Sequence, residues 1–183
     1  RAVERTLVWA LRCKRSHEER CQALPLDRRP LLFGIVQGGL ERDLRERCAR
    51  ELVGIGFDGY AVGGLAIGET EEEMFSVLSD GCPLLPEDTP RYLMGVGRPH
   101  QHARAVALGI DLFDCVLPMR EARHGKIYST DGGCIDVRQA TFAHDDAPID
   151  AASRSALSRL HSRAYLHYLF RANERSAETI ACA

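Results

Sequence analysis

The sequence predicts an α/β fold built on a parallel sheet. Short apolar runs, three of them closed by glycine, alternate with helix-length amphipathic stretches over most of the 183 residues. The runs are apolar at successive positions, which is typical of strands that helices cover on both faces. Two architectures fit this alternation, a doubly wound sheet and a (β/α)8 barrel.

Four runs have the length of strands. They cover residues 31–36, 57–62 and 91–96, and a further run ends at Asp114. The carboxyl ends of parallel strands meet at one edge of the sheet, and ligands of such folds bind there. The residues at or next to these ends are therefore candidates for one site: Gln37, Gly63, Gly64, Leu65, Met94, Gly95 and Asp114.

Helices are predicted at residues 1–13, 40–53, 70–78 and 100–108, from apolar residues spaced three or four apart. The first two have apolar faces made of Val3, Leu7, Val8 and Leu11, and of Leu40, Leu44, Cys48 and Leu52. The acidic run from Glu69 to Glu73 is interpreted as the charged first turn of the third helix, where the helix dipole favours carboxylates.

The composition is that of a globular protein, with 45% hydrophobic residues, 27% charged residues and a formal net charge of −2. A polyanionic partner must therefore bind a local basic patch, which Arg120, Arg123, His124 and Lys126 could supply. No apolar run is long enough to cross a bilayer and no signal peptide is recognisable, so a cytoplasmic protein is expected. The seven cysteines are scattered without a C-x-x-C pair, which predicts neither a disulfide framework nor an intact metal knuckle.

The length suggests that part of the fold lies outside this chain. A complete (β/α)8 barrel needs about 250 residues, whereas this chain has 183 and begins with Arg1 rather than methionine. We therefore expect a fragment that holds about half of a barrel. Half a barrel leaves an edge strand unpaired and an inner face exposed, which predicts poor solubility without a partner.

Four phrases, in this order, resemble the bacterial signatures of the tRNA-guanine transglycosylases, enzymes that replace guanine at the anticodon wobble position on the route to queuosine. They are Gly34-Ile-Val-Gln37-Gly-Gly39, Gly56-Phe-Asp-Gly-Tyr-Ala-Val-Gly-Gly-Leu65-Ala-Ile-Gly-Glu69, Arg91-Tyr-Leu-Met-Gly-Val-Gly97 and Phe113-Asp-Cys-Val-Leu-Pro118. The resemblance extends over nearly the whole chain.

The resemblance implies the carboxyl-terminal half of a (β/α)8 barrel in residues 1–145, followed by a degenerate zinc-binding subdomain region in residues 146–183. The implied substrates are a tRNA with G at the wobble position and a 7-deazaguanine base. Asp114 would act as the nucleophile on C1′ of the ribose. A carboxylate can trap an oxocarbenium-like centre as a covalent glycosyl-enzyme, which the incoming base then releases with retention.

The resemblance also implies a purine pocket and an RNA contact. In the pocket, Gln37 offers its side-chain amide to the base edge, Gly64 and Leu65 offer their backbone, and Met94 and Gly95 line one face. Arg120 and Arg123 would hold anticodon bases and phosphates, a task that suits the planar guanidinium. Glu69 would help to choose between incoming amines and amides.

Two departures from the family affect these expectations. Ser153, Ser155 and Ser158 stand where relatives have the C-x-C-x-x-C zinc ligands, before the helix Ser162-Arg-Ala-Tyr-Leu-His167. Serine hydroxyls do not replace thiolates on zinc, so we predict no bound zinc, and the homodimer that the family forms through this region is in question. The family's general acid and base is an aspartate of the other half, and we assign that role to none of Asp58, Asp111 and Asp136.

Two hypotheses follow. The first is a transglycosylase, present as its carboxyl-terminal portion or as a divergent member. The second is a non-catalytic or degenerate family member, either a subunit that binds tRNA or a partner protein, or the product of a pseudogene. Structural interpretations compete at single residues as well: the glycine pair could be only a turn, Gln37 a capping amide, Asp114 an acid paired with Arg120, and the serines a polar linker.

Overall fold

The computed structural model describes residues 1–183. The chain divides into two compact units, one formed by residues 1–96 and 101–114 and the other by residues 97–100 and 115–183. No helix combines the length and the apolar character needed to cross a membrane. The division predicted at residues 145 and 146 concerns the parts of a larger barrel and stays a prediction.

The first unit contains a four-stranded parallel sheet in the order β1-β2-β3-β4, which confirms the predicted α/β class with a parallel sheet. That this sheet is half of a (β/α)8 barrel stays a prediction. Its strands are β1 (Phe33–Val36), β2 (Gly59–Val62), β3 (Arg91–Met94) and β4 (Leu112–Asp114). Its helices are α1 (Ala2–Cys21), α2 (Arg42–Ile55), α3 (Glu71–Gly81) and most of α4 (Pro99–Ala107). All four predicted strands and all four predicted helices are therefore present, with shifted ends.

Burial differs between the central and the edge strands. β2 has a neighbour on each side, and all four of its residues are buried. The edge strands are only partly covered, since Ile35 of β1 is 39% exposed and Leu112 of β4 is 45% exposed. The expectation that every strand is buried on both faces thus holds for β2 and fails for β1 and β4.

The apolar faces predicted for α1 and α2 were partly wrong. Val8 and Leu11 of α1 are 57% and 54% exposed. In α2 the buried residues are Arg45, Cys48, Ala49 and Leu52, whereas Leu44 is 43% exposed and Leu40 precedes the helix. The α2 prediction followed a strict spacing of four, which drifts by about 40° per step on a helix of 3.6 residues per turn. The buried set of α2 has the spacing i, i+3, i+4, i+7 that keeps one stripe against the core.

The start of α3 follows the sequence-based interpretation of the acidic run. Thr70 is the N-cap, and its hydroxyl accepts a hydrogen bond from the Glu73 amide at 3.3 Å. The Glu73 carboxylate in turn accepts from the Thr70 amide at 2.8 Å, which completes a capping box. This cap fixes the point at which the segment after β2 enters α3.

The second unit is a small mixed assembly around its own core. It contains α5 (Leu117–Arg123), the antiparallel pair β5 (Lys126–Tyr128) and β6 (Cys134–Asp136), α6 (Ala156–Leu160), α7 (Arg163–Arg171) and α8 (Ser176–Ala181). Val137 and Leu166 are fully buried in its apolar cluster. His167 of α7 lies with Nδ1 2.8 Å from the carbonyl oxygen of Val137, which accepts the hydrogen bond, so this histidine has a packing role.

Candidate active site

The carboxyl ends of the four strands form one edge, as the sequence predicted. Val36 pairs in register with Val62, Val62 with Leu93, and Met94 with Asp114. The segments that leave these strands therefore begin at the same level of the sheet. Adjacent strands are about 4.8 Å apart, so the edge from β1 to β4 is about 14 Å wide.

Asp114 is the last residue of β4, and its side chain is exposed. Its Oδ1 accepts a hydrogen bond from the Tyr92 hydroxyl at 2.6 Å and another from the Gly95 amide at 3.1 Å. The Tyr92 bond, followed by the Gly95 bond, holds the pKa of the Asp114 carboxyl below its ordinary value. The result is an oriented, ionised carboxylate at the edge of the sheet, which suits a nucleophile or an electrostatic stabiliser.

Tyr92 belongs to this site, although the sequence analysis did not select it. It lies on β3 two residues before Met94, and alternate residues of a strand share a face. The hydrogen bond to Asp114 raises the pKa of the Tyr92 phenol, so the tyrosine remains a donor. A polar aromatic residue two positions before a strand end was the available signal, but only the pairing of β3 with β4 brings the two side chains together.

We expect the Tyr92→Phe substitution to raise the pKa of Asp114. The hydrogen bond favours the charged form of the carboxyl, so its loss leaves Asp114 protonated up to a higher pH than in the wild type. NMR titration of the Asp114 side-chain carboxyl carbon measures this directly. Tyr60→Phe is the matched control, because the Tyr60 hydroxyl accepts from the Phe57 amide instead. An unchanged titration of Asp114 in Tyr92→Phe would contradict the assignment.

Gln37 and the glycine pair after β2 are in direct contact. A Cβ atom on Gly63 would lie 2.6 Å from Nε2 of Gln37, and one on Gly64 would lie 2.9 Å from Oε1. Gly64 also has a φ of +67°, a conformation that residues with a side chain rarely adopt. The structure thus brings these predicted residues together, and it leaves no room for a side chain where the amide of Gln37 meets the two glycines.

The segment after Gly64 is held by Glu69. The Glu69 carboxylate accepts hydrogen bonds from the amides of Ala66 and Ile67, the latter at 3.2 Å. Desolvation alone would raise the pKa of Glu69, but these backbone amides bring it below its ordinary value. The side chain of Leu65 is buried in the core, so any contact with a ligand must come from its backbone.

The remaining predicted site residues lie in two places. Met94 is half-buried at the end of β3, and Gly95 follows it with a φ of +78°. A Cβ atom on Gly95 would lie 3.7 Å from the Cβ of Ala66, so the segments after β2 and β3 border each other. Arg120 and Arg123 are exposed in the last turn of α5, which belongs to the second unit.

The three aspartates that the sequence analysis left without a role have local partners. Asp58 pairs with Arg29 and accepts from the Leu32 amide at 2.8 Å. Asp111 accepts from the Arg91 amide at 2.8 Å, and Asp136 pairs with Arg138 at 3.0 Å. Each carboxylate thus has a structural task where it stands.

The serine triplet does not offer a zinc site. Ser158 is buried in the second unit, Ser155 is the N-cap of α6, and the Ser153 hydroxyl accepts from the Ser155 amide at 3.1 Å. The donor set consists of neutral hydroxyls, whereas zinc in proteins is bound by thiolate, imidazole and carboxylate groups. These residues therefore do not fit the metal that the resemblance implies, and the bond between Ser153 and Ser155 belongs to the turn that leads into α6.

We expect the purified protein to contain substoichiometric zinc and to keep its melting temperature after dialysis against a chelator. A structural zinc site contributes directly to folding, so its removal would lower the melting temperature. Metal analysis combined with thermal unfolding, before and after chelation, makes the measurement. One zinc per chain, or a clear loss of stability on chelation, would contradict the expectation.

Comparison with known proteins gives consistent matches over almost the entire chain. Residues 1–182 match the family model described as "TGT: Queuine tRNA-ribosyltransferase". The "Queuine tRNA-ribosyltransferase" of Solidesulfovibrio magneticus is 46% identical over 169 residues, which are 92% of this chain and 43% of the relative. The protein of the same name from Halothermothrix orenii is 45% identical over 174 residues, 95% of this chain and 44% of the relative. The chain thus spans less than half the length of these relatives.

Proposed function

The chain belongs to the queuine tRNA-ribosyltransferase family, and from this premise we propose that the protein is a tRNA-guanine transglycosylase. It exchanges guanine at the wobble position of tRNA for a 7-deazaguanine base. The observation that carries the proposal is the ionised Asp114 carboxylate, oriented by Tyr92 and Gly95 on the same sheet edge as the Gln37 and Gly64 contact.

In this proposal residues 1–145 supply βα units of the carboxyl-terminal half of a (β/α)8 barrel, and residues 146–183 are the remnant of a zinc-binding subdomain. Support comes from the element order, in which each of the four parallel strands is followed by a helix. The partly exposed edge strands β1 and β4 are where further barrel strands would pair.

Asp114 performs the chemistry through two displacements at C1′ of the ribose. In the first, a carboxylate oxygen uses an electron pair to form a bond to C1′ while the bond from C1′ to N9 of guanine breaks. The electrons of the broken bond leave on N9 of guanine, which then takes up a proton. In the second, the corresponding nitrogen of the incoming base gives up its proton and forms the new bond to C1′ while the ester bond breaks. Two inversions give retention, and the carboxylate is regenerated.

The base binds between Gln37 and Asp114, over the ends of β2 and β3. The edge from β1 to β4 is about 14 Å wide, which is enough for a purine and its ribose. Gln37 can both donate to and accept from a guanine-like edge. Gly64 and Leu65 contribute backbone groups, and Met94 with Gly95 borders one face of the base. The flat base suits a site lined by glycine, because no side chain intervenes.

Arg120 and Arg123 are the proposed RNA contacts. Both guanidinium groups are exposed on α5, within three residues of each other. Planar guanidinium groups bind phosphates in a bidentate manner and stack on bases. Because the protein as a whole is slightly acidic, such a local basic site is needed for binding to a tRNA.

The test is the incorporation of labelled guanine into a tRNA that has G at the wobble position. The protein should be produced at the length that its gene encodes. Incorporation that depends on the wobble G supports the proposal. Failure to incorporate guanine into any tRNA would overturn it.

A second candidate is a non-catalytic subunit that binds tRNA or a complete transglycosylase. The observation that favours it is the hydroxyl set Ser153, Ser155 and Ser158, which cannot take the place of thiolate zinc ligands. A binding curve for tRNA that weakens with salt, without any exchange of guanine, would identify this function.

A further inference from the structure

Arg45 connects the two segments that line the proposed base site. It lies on the buried face of α2 and is only 4% exposed. Its Nε donates a hydrogen bond to the carbonyl oxygen of Gly39, in the segment after β1. Its Nη2 donates to the carbonyl oxygens of Gly63 at 3.0 Å and of Gly64 at 3.4 Å, in the segment after β2.

Stability alone explains this residue poorly. Nη1 of Arg45 is buried without a hydrogen-bond partner, and desolvation lowers the pKa of the guanidinium. A buried charge costs free energy, and well-packed apolar residues of similar volume often serve the fold as well or better. We therefore look for the role of this arginine in the orientation of the peptide groups that it binds.

That geometry concerns the direction of two amide groups. In a trans peptide the carbonyl and the N–H of one plane point in opposite directions. Because Arg45 binds the carbonyls of Gly63 and Gly64, the N–H groups of Gly64 and Leu65 must point away from the guanidinium. Neither of these amides donates a hydrogen bond within the chain. Two backbone donors are thus without a partner within the chain, at the place where a Cβ atom on Gly64 would lie 2.9 Å from Oε1 of Gln37.

We propose that Arg45 is a positioning residue that aims the amides of Gly64 and Leu65 at an acceptor oxygen of the base. This inference rests on the proposed function, since it assigns the base edge that the site recognises. The chemical class of ligand is a purine or deazapurine with a carbonyl group, as in guanine. Arg45 itself does not touch the base, because it is buried and its guanidinium binds the carbonyl oxygens of the two peptide groups.

The test compares guanine with 2-aminopurine, which lacks the carbonyl oxygen and, as a consequence, the proton on N1. The loss of the N1 proton is the same for every variant, so the change in relative affinity between variants reports on the contact with the carbonyl oxygen. Dissociation constants for both bases are measured by calorimetry with the wild type, Arg45→Met and the control Arg47→Met. Arg47 lies on the same helix but is exposed and pairs with Glu51 at 2.8 Å. We expect the wild type and Arg47→Met to bind guanine roughly 10- to 100-fold more tightly than 2-aminopurine. In Arg45→Met the ratio of the dissociation constant for 2-aminopurine to that for guanine should fall by about 10-fold, because only the binding of guanine becomes weaker.

The conservative variant Arg45→Lys keeps the test decisive if Arg45→Met does not fold. A lysine ammonium is a point charge and cannot reproduce the fork of the guanidinium, which reaches three carbonyl oxygens. The preference of Arg45→Lys for guanine over 2-aminopurine should therefore lie between the preferences of the wild type and of Arg45→Met. An unchanged ratio in the folded variants would overturn the role of Arg45 while leaving guanine exchange by the wild type intact. A lowered ratio in a protein that never exchanges guanine would support the role and overturn the proposed function. Absence of any guanine binding by the wild type would overturn both.

Discussion

The Asp114→Asn substitution should abolish guanine exchange, with a loss on the order of 10⁴-fold or more, as for the removal of other nucleophiles. A carboxylate can form an ester with C1′ and leave again, whereas a neutral amide is a poor nucleophile and cannot carry the compensating negative charge. The side chains are nearly equal in size, and the amide oxygen can still accept from the Tyr92 hydroxyl and the Gly95 amide. Folding and base binding should therefore survive. Labelled-guanine incorporation measures the loss.

Asp111→Asn is the matched control. Asp111 lies just before β4, and its carboxylate accepts from the Arg91 amide, a bond that an asparagine oxygen can also accept. The same chemical change three residues away should alter exchange only a few-fold, as expected for a surface substitution. Exchange that persists in Asp114→Asn at the wild-type rate would remove Asp114 as the nucleophile. A covalent adduct with tRNA that forms in the wild type and disappears in Asp114→Asn would support its role independently.

The Gly64→Ala substitution should raise the KM for guanine by about 10- to 100-fold, with a smaller effect on kcat. The new Cβ would lie 2.9 Å from Oε1 of Gln37, so the flexible amide must move out of the position in which it meets the glycines. Movement of that amide disrupts its contact with the base. The fold loses less, because a left-handed conformation costs a residue with a side chain about 1–2 kcal/mol. Steady-state kinetics at varied guanine concentration and thermal unfolding separate the two effects.

Gly132→Ala controls for the backbone cost. Gly132 has a φ of +83° in the turn between β5 and β6, and a Cβ there would meet nothing within 4 Å. It carries a similar conformational penalty without a steric conflict at Gln37. We expect its stability loss to match that of Gly64→Ala while its KM for guanine stays at the wild-type value. Equal KM values in the two variants would show that Gln37 and Gly64 do not form the base site.

Much of the fold could be predicted because its signals are local. The run from residue 59 to 62 carries no charged residue, and all four of these residues of β2 are buried. Glycine at the strand ends marked the segments that carry Gln37 and Gly64, and the acidic run marked the cap of α3. Since parallel strands share one carboxyl edge, the positions of Gln37, Gly64 and Asp114 at or next to the strand ends put them in one candidate site. Their chemical roles depend on the resemblance and on the experiments above.

The sequence by itself therefore determined the fold class, the strand positions and the edge that carries the candidate site. Only the tertiary structure decided which side chains support that site. Tyr92 and Asp114 are 22 residues apart, and their contact exists because β3 pairs with β4. Arg45 is buried in α2 where the pattern of apolar residues pointed to Leu44, because its guanidinium finds carbonyl acceptors in two segments up to 19 residues away. The spacing of apolar residues predicts the buried face of a helix from the sequence of that helix alone. Whether a charged residue can be buried depends on hydrogen-bond partners in other elements.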